Sequence, residues 1–124
     1  MATFTKLALQ PAGTTGDGLG ITVVATATAG TAIHTASATA ATIDEIWLYA
    51  VNTHSSAVTL TIEFGGVSVT KDIIQQSIAA SPSGLVLVCA GLILQGNATP
   101  KVVRAFAGTA SKIEIFGFVN RITV

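Results

Sequence analysis

Between Val58 and Phe64 the chain alternates strictly. Val58, Leu60, Ile62 and Phe64 are apolar, while Thr59, Thr61 and Glu63 are polar. A two-residue period puts the sets on opposite faces of a strand. The apolar set is expected in a core, with Thr59, Thr61 and Glu63 facing outward. Gly65-Gly66 follows, after which Val67 and Val69 alternate with Ser68 and Thr70. Two alternating runs joined by Gly-Gly read as a β-hairpin. No segment sustains a 3.6-residue period over three turns, so the chain is constrained to strands.

The rest of the sequence reads the same way. Residues 4–9 form a short apolar first strand, and PAGTTGDGLG (11–20) is a glycine-rich loop. Residues 1–20 are therefore expected to be an N-terminal arm on a flexible tether, followed by one domain over 21–124. The arm either adds to a neighbour's sheet edge or forms an ordinary first strand in its own sheet. Residues 21–29 alternate and find a hairpin partner in 31–37 across Gly30. TIDEIWLYAVN (42–52) is a long strand with apolar residues on both faces, as in a strand covered on both sides. Residues 71–80 hold a helical turn or an irregular crossing. LVLVCAGLIL (85–94) is a buried strand with a bulge at Gly91. Residues 102–107 and 113–122 complete the set. About eight or nine strands at short spacing predict an all-β fold, a jelly-roll-like two-sheet β-sandwich.

Composition narrows what such a sandwich does. Of the 124 residues, 50% are hydrophobic and only 10% charged, with six cations balancing six anions. An ordinary soluble domain carries about 25% charged residues. Six scattered cations at zero net charge argue against nucleic acid as a partner. The longest apolar run has ten residues, half of the roughly 20 that a membrane-spanning helix needs. No stretch of signal-peptide length follows Met1. No membrane partner or export is therefore expected, and synthesis is expected in the host cytoplasm. A neutral, weakly charged surface is prone to associate, so a permanent homo-oligomer or a subunit of a larger shell is expected.

Catalytic, cofactor and metal chemistry is not expected. GDGLG is neither a phosphate loop nor a dinucleotide fingerprint, because a strand rather than a helix follows it. His34 and His54 lack the spacing of a metal pair, and His54 in NTHSS reads as a solvated turn histidine. Asp44 and Glu45 are adjacent and so point to opposite faces, which rules out a glycosidase-type pair. Cys89 reads as a small buried hydrophobe. Trp47 and Tyr49 share one strand face and, with Phe4, Leu7 and Leu9, are the interface candidates. A sugar-binding surface uses the same aromatic residue types.

The runs WLYAVNTHSSAVTLTIEFGG, PSGLVLVCAGLILQGN and VVRAFAGTASKIEIFGFVNRI share a grammar of strands and Gly turns over about the last 80 residues. This grammar resembles small virion proteins of tailed phages, in particular capsid decoration (cement) proteins. The resemblance implies a homotrimer seated on a shell of major capsid protein, a location on the capsid surface, and no catalytic residues. The alternative is a small β-sandwich binding module, lectin-like or the receptor-binding tip of a phage tail or fibre.

Overall fold

Alternating β-branched and aliphatic side chains fit a pleated, half-buried surface. They form nine strands and no helix among residues 2–124, the residues that this computed structural model describes. The strands are β1 (Thr3–Ala8), β2 (Ile21–Thr22), β3 (Thr31–Thr35), β4 (Thr42–Asn52), β5 (Val58–Phe64), β6 (Ile73–Ile78), β7 (Val86–Gln95), β8 (Val102–Ala107) and β9 (Ile113–Thr123). Every pairing is antiparallel. One sheet runs β1-β9-β4-β7, with β2 beside β9 beyond the end of β1; the other runs β3-β8-β5-β6. With the two-residue β2 set aside, this is the strand order of a jelly roll.

The core lies between the sheets. Ile46, Leu48, Ala50, Ile113, Ile115 and Val119 face it from the first sheet, and Ile33, Val58, Leu60, Ile62, Val103 and Ala105 from the second. These inward positions are aliphatic; no aromatic side chain is among the buried core residues. A polar cluster ties the two sheets together. Asp44 on β4 is wholly buried, and Arg121, its register partner on β9, donates to both carboxylate oxygens at 2.7 and 2.9 Å. His34 on β3 reaches across from the other sheet, with Nε2 2.7 Å from Asp44 Oδ2. The Gln10 N–H donates to His34 Nδ1, so Nε2 carries the proton shared with Asp44. Burial alone raises the Asp44 carboxyl, but hydrogen bonds from Arg121 and His34 outweigh it and hold the pKa at about 2.

Several expectations need correction. The β5 register is as read, but Thr61 and Glu63 are buried rather than facing solvent. The segment between β2 and β3 lies over the outer face of the second sheet. There the Thr28 hydroxyl and the Gly30 N–H both donate to the Glu63 carboxylate. Residues 21–29 therefore do not form a hairpin with 31–37: only Ile21–Thr22 joins a ladder, and β3 pairs with β8. Phe64 packs half-buried at the margin of the core. Val67 and Val69 lie in the loop after β5, because Asp72 Oδ2 accepts the Ser68 N–H and closes a turn there. The hairpin partner of β5 is β6, which occupies the segment expected to be a helical turn or crossing. Its Ile74, Gln76 and Ile78 stand opposite Ile62, Leu60 and Val58; the Gln-Gln pair masks the alternation. β7 is an edge strand rather than a buried one, with Leu87 and Ile93 46% and 62% exposed. Its bulge at Gly91 is present: Ile46 pairs with Leu92 and Trp47 with Ala90, leaving Gly91 as the extra residue.

The first strand belongs to its own sheet. β1 pairs with β9 over six residues, from Thr3 opposite Thr123 to Ala8 opposite Phe118. Of the two readings of this segment, the intramolecular strand is the observed one.

Candidate functional site

Inward positions on β4 and β9 alternate with outward ones, and most of the outward ones are also apolar. From β4 these are Ile43, Glu45, Trp47, Tyr49 and Val51; their register partners on β9 are Ile122, Asn120, Phe118, Phe116 and Glu114. From β1, Phe4 stands opposite Ile122 and Lys6 opposite Asn120. Five of the seven aromatic side chains of the chain, Phe4, Trp47, Tyr49, Phe116 and Phe118, are therefore on the outer face of one sheet.

The face is ordered by specific contacts. Trp47 and Phe118 are cross-strand neighbours whose rings stack, with centroids 6.0 Å apart and an interplanar angle of 10°. The Trp47 ring also lies over the bulge of β7. Gly91 has φ +70°, and a Cβ there would come within 2.9 Å of the ring. Only glycine combines that left-handed conformation with that approach. Phe116 rests on Gly20 in the same way, where a Cβ would meet the ring at 2.8 Å.

A polar cluster occupies one end. Trp47 Nε1–H and Asn120 Nδ2–H both donate to Glu45 Oε1, at 2.8 and 3.0 Å. These two bonds, Trp47 first, lower the pKa of the Glu45 carboxyl. The Lys6 ammonium sits 4.6 Å from the Phe118 ring centroid, a cation–π distance. Between Lys6 and Glu45 a groove of about 430 Å³ opens, walled by Phe4 and Ile122.

The interface candidates thus divide. Phe4, 72% exposed, Trp47 and Tyr49 lie on the outer face. Leu9 is buried in the core, and Leu7, partly buried, packs against the core rather than standing on the outer face. The strand alternation turns them inward once β1 is zipped onto β9. Phe116, Phe118 and Ile122 belong to the face but are not among the candidates. Their signal is the run IEIFGFVNRI, apolar at both alternating sets and so apolar on both faces of the strand.

The remaining candidate chemistry stays apart. His54 Nδ1 accepts the Ser56 N–H within the turn. The glycine-rich loop walls a cavity of about 460 Å³ whose charged lining residue is Asp17, an anion. Among the described residues no group of three or more His, Cys, Asp or Glu is placed to hold a metal ion. Cys89 is buried, and burial pushes its thiol pKa up. In comparisons with known proteins, no protein-family model, no curated protein and no solved structure matches the chain.

Proposed function

We propose that this chain is a structural subunit of a tailed-phage virion, a decoration protein that assembles as a symmetric homo-oligomer on the capsid surface. The observation that carries this reading is the outward placement of five of the seven aromatic side chains on one sheet face. Four strands of six to eleven residues, about 4.8 Å apart, make a face on the order of 600 Å². A standard subunit contact uses about 800 Å² a side, so this face supplies most of one. The free edge of β7, by contrast, is interrupted by two register shifts, a device that discourages edge-to-edge pairing. Assembly through the face is therefore favoured over pairing at the β7 edge.

The trimer and the capsid partner come from the likeness of strand and turn grammar. Cyclic closure of three copies takes two different patches on each chain, so this face would pack against a second surface of the neighbour. The stabilising mechanism is apolar burial that bridges shell subunits, so bound decoration raises the temperature at which the shell comes apart. Light scattering of the purified chain checks the assembly: a species of about three times 12.5 kDa is expected, and a stable monomer at micromolar concentration overturns the reading. Co-sedimentation with phage capsids lacking their own decoration checks the partner.

A further inference from the structure

We propose that the groove between Lys6 and Glu45 is a binding site for a neutral polyhydroxylated ligand, a hexopyranose unit of a glycan. Its volume of about 430 Å³ falls within the range of about 300–1,000 Å³ typical of small-molecule sites. Glu45 is already fixed, because Trp47 and Asn120 both donate to its Oε1. Glu45 Oε2 and Asn120 Oδ1 make no hydrogen bond among the described residues and are not sealed from solvent. The groove therefore presents two acceptors and, from Lys6, one cationic donor.

A hydroxyl both donates and accepts. Two adjacent hydroxyls of a sugar ring satisfy the carboxylate and the ammonium together. Lys6 and Glu45 balance in charge, so the groove has no net attraction for an anion or a cation. The apolar walls, Phe4 and its register partner Ile122, suit the C–H face of a pyranose ring. Prior fixation of Glu45 reduces the ordering cost of binding. The groove lies at the Phe4 end of the face proposed above for assembly, away from Tyr49 and Phe116, so the two uses exclude each other; the titration that tests the site is therefore repeated on Tyr49→Arg combined with Phe116→Arg, whose substitutions lie outside the groove.

The test uses the full chain and its single tryptophan. Trp47 donates to Glu45, so its emission reports ligand engagement of that carboxylate. Methyl glycosides of glucose, galactose, mannose and N-acetylglucosamine are titrated in turn, with saturation-transfer NMR on the same samples. At least one is expected to give a saturable emission change and ring-proton saturation. Glu45→Gln replaces the free acceptor by a donor and is expected to weaken binding about tenfold or more, the scale of one charge-assisted hydrogen bond. Phe4→Ser, at a solvent-exposed position, is expected to weaken it as well and remains informative if the Glu45 variant misfolds. Val69→Ser, on an exposed loop after β5, is expected to bind like the parent. No saturable change with any glycoside at tens of millimolar overturns the proposal. So does unchanged binding in Glu45→Gln and Phe4→Ser.

Discussion

Two buried carboxylates show how single residues hold this sandwich together. Asp44 joins the sheets through Arg121 and His34. Its folded-state pKa of about 2 lies below the ordinary 3.8, so the folded state favours the charged form. The resulting stability, about 2 kcal/mol, is present above pH 3.8 and is lost as the pH falls through 2. Urea unfolding between pH 5 and 2 should show that decline, and Asp44→Asn should flatten it. Glu63 plays a local part: it holds Thr28 and Gly30 over the outer face of the second sheet. Glu63→Ala leaves the Gly30 N–H without its partner. We expect a loss of about 1–3 kcal/mol in denaturant melts, the cost of a buried unsatisfied donor. Thr59→Ala, at the exposed position of the same strand face, should cost under about 0.5 kcal/mol.

At the scale of elements, β1 and β7 are the informative pair, because both border the same sheet. β1 gives up one edge to β9 and leads into Leu9 and Gln10, both buried. Gln10 also donates its N–H to His34, the residue that meets Asp44. Deleting residues 1–10 therefore removes a strand, a core side chain and a support of the polar tie. A large fall in melting temperature by circular dichroism is expected, whereas an arm reaching to a neighbour would leave it nearly unchanged. β7 shows how an edge is shaped by its neighbours. Its bulge at Gly91 makes room for Trp47, and Gly91→Ala would place a methyl group against the ring in a left-handed backbone. That backbone alone costs about 1–2 kcal/mol for a non-glycine residue, a loss readable in thermal melts together with a shift in Trp47 emission.

For the whole molecule, the distribution of aromatics separates stability from association. The core is aliphatic and closes between the sheets, so charges placed on the outer face need not disturb it. Tyr49→Arg combined with Phe116→Arg is expected to convert the proposed oligomer into a monomer by light scattering while far-UV circular dichroism keeps its β signature. Like charges brought together across a subunit contact oppose association, and both positions face away from the core. Loss of the fold in this variant would place the two rings in the stability of the sandwich itself.

Strand identity was legible from the sequence wherever a side-chain period of two is undisturbed. β4 spans Thr42–Asn52 and β5 carries Val58, Leu60 and Ile62 to the core, both as the alternation reads. The bulge at Gly91 was legible too, because glycine inside an apolar strand marks a break in the ladder. What lies beyond a strand's second face was not. Period alone separates two faces but does not say which is covered: a loop buries Thr61 and Glu63, while Phe116 and Trp47 stay on the outside of a sheet. The candidate site was half legible for the same reason. Trp47 and Tyr49 are two residues apart in the chain, but Phe118, Asn120 and Lys6 join them only through the registers of β9 with β4 and β1. Those registers pair residues some 70 to 115 positions apart. Sequence spacing carries no trace of such pairings, which are decided when the two sheets close around a common core.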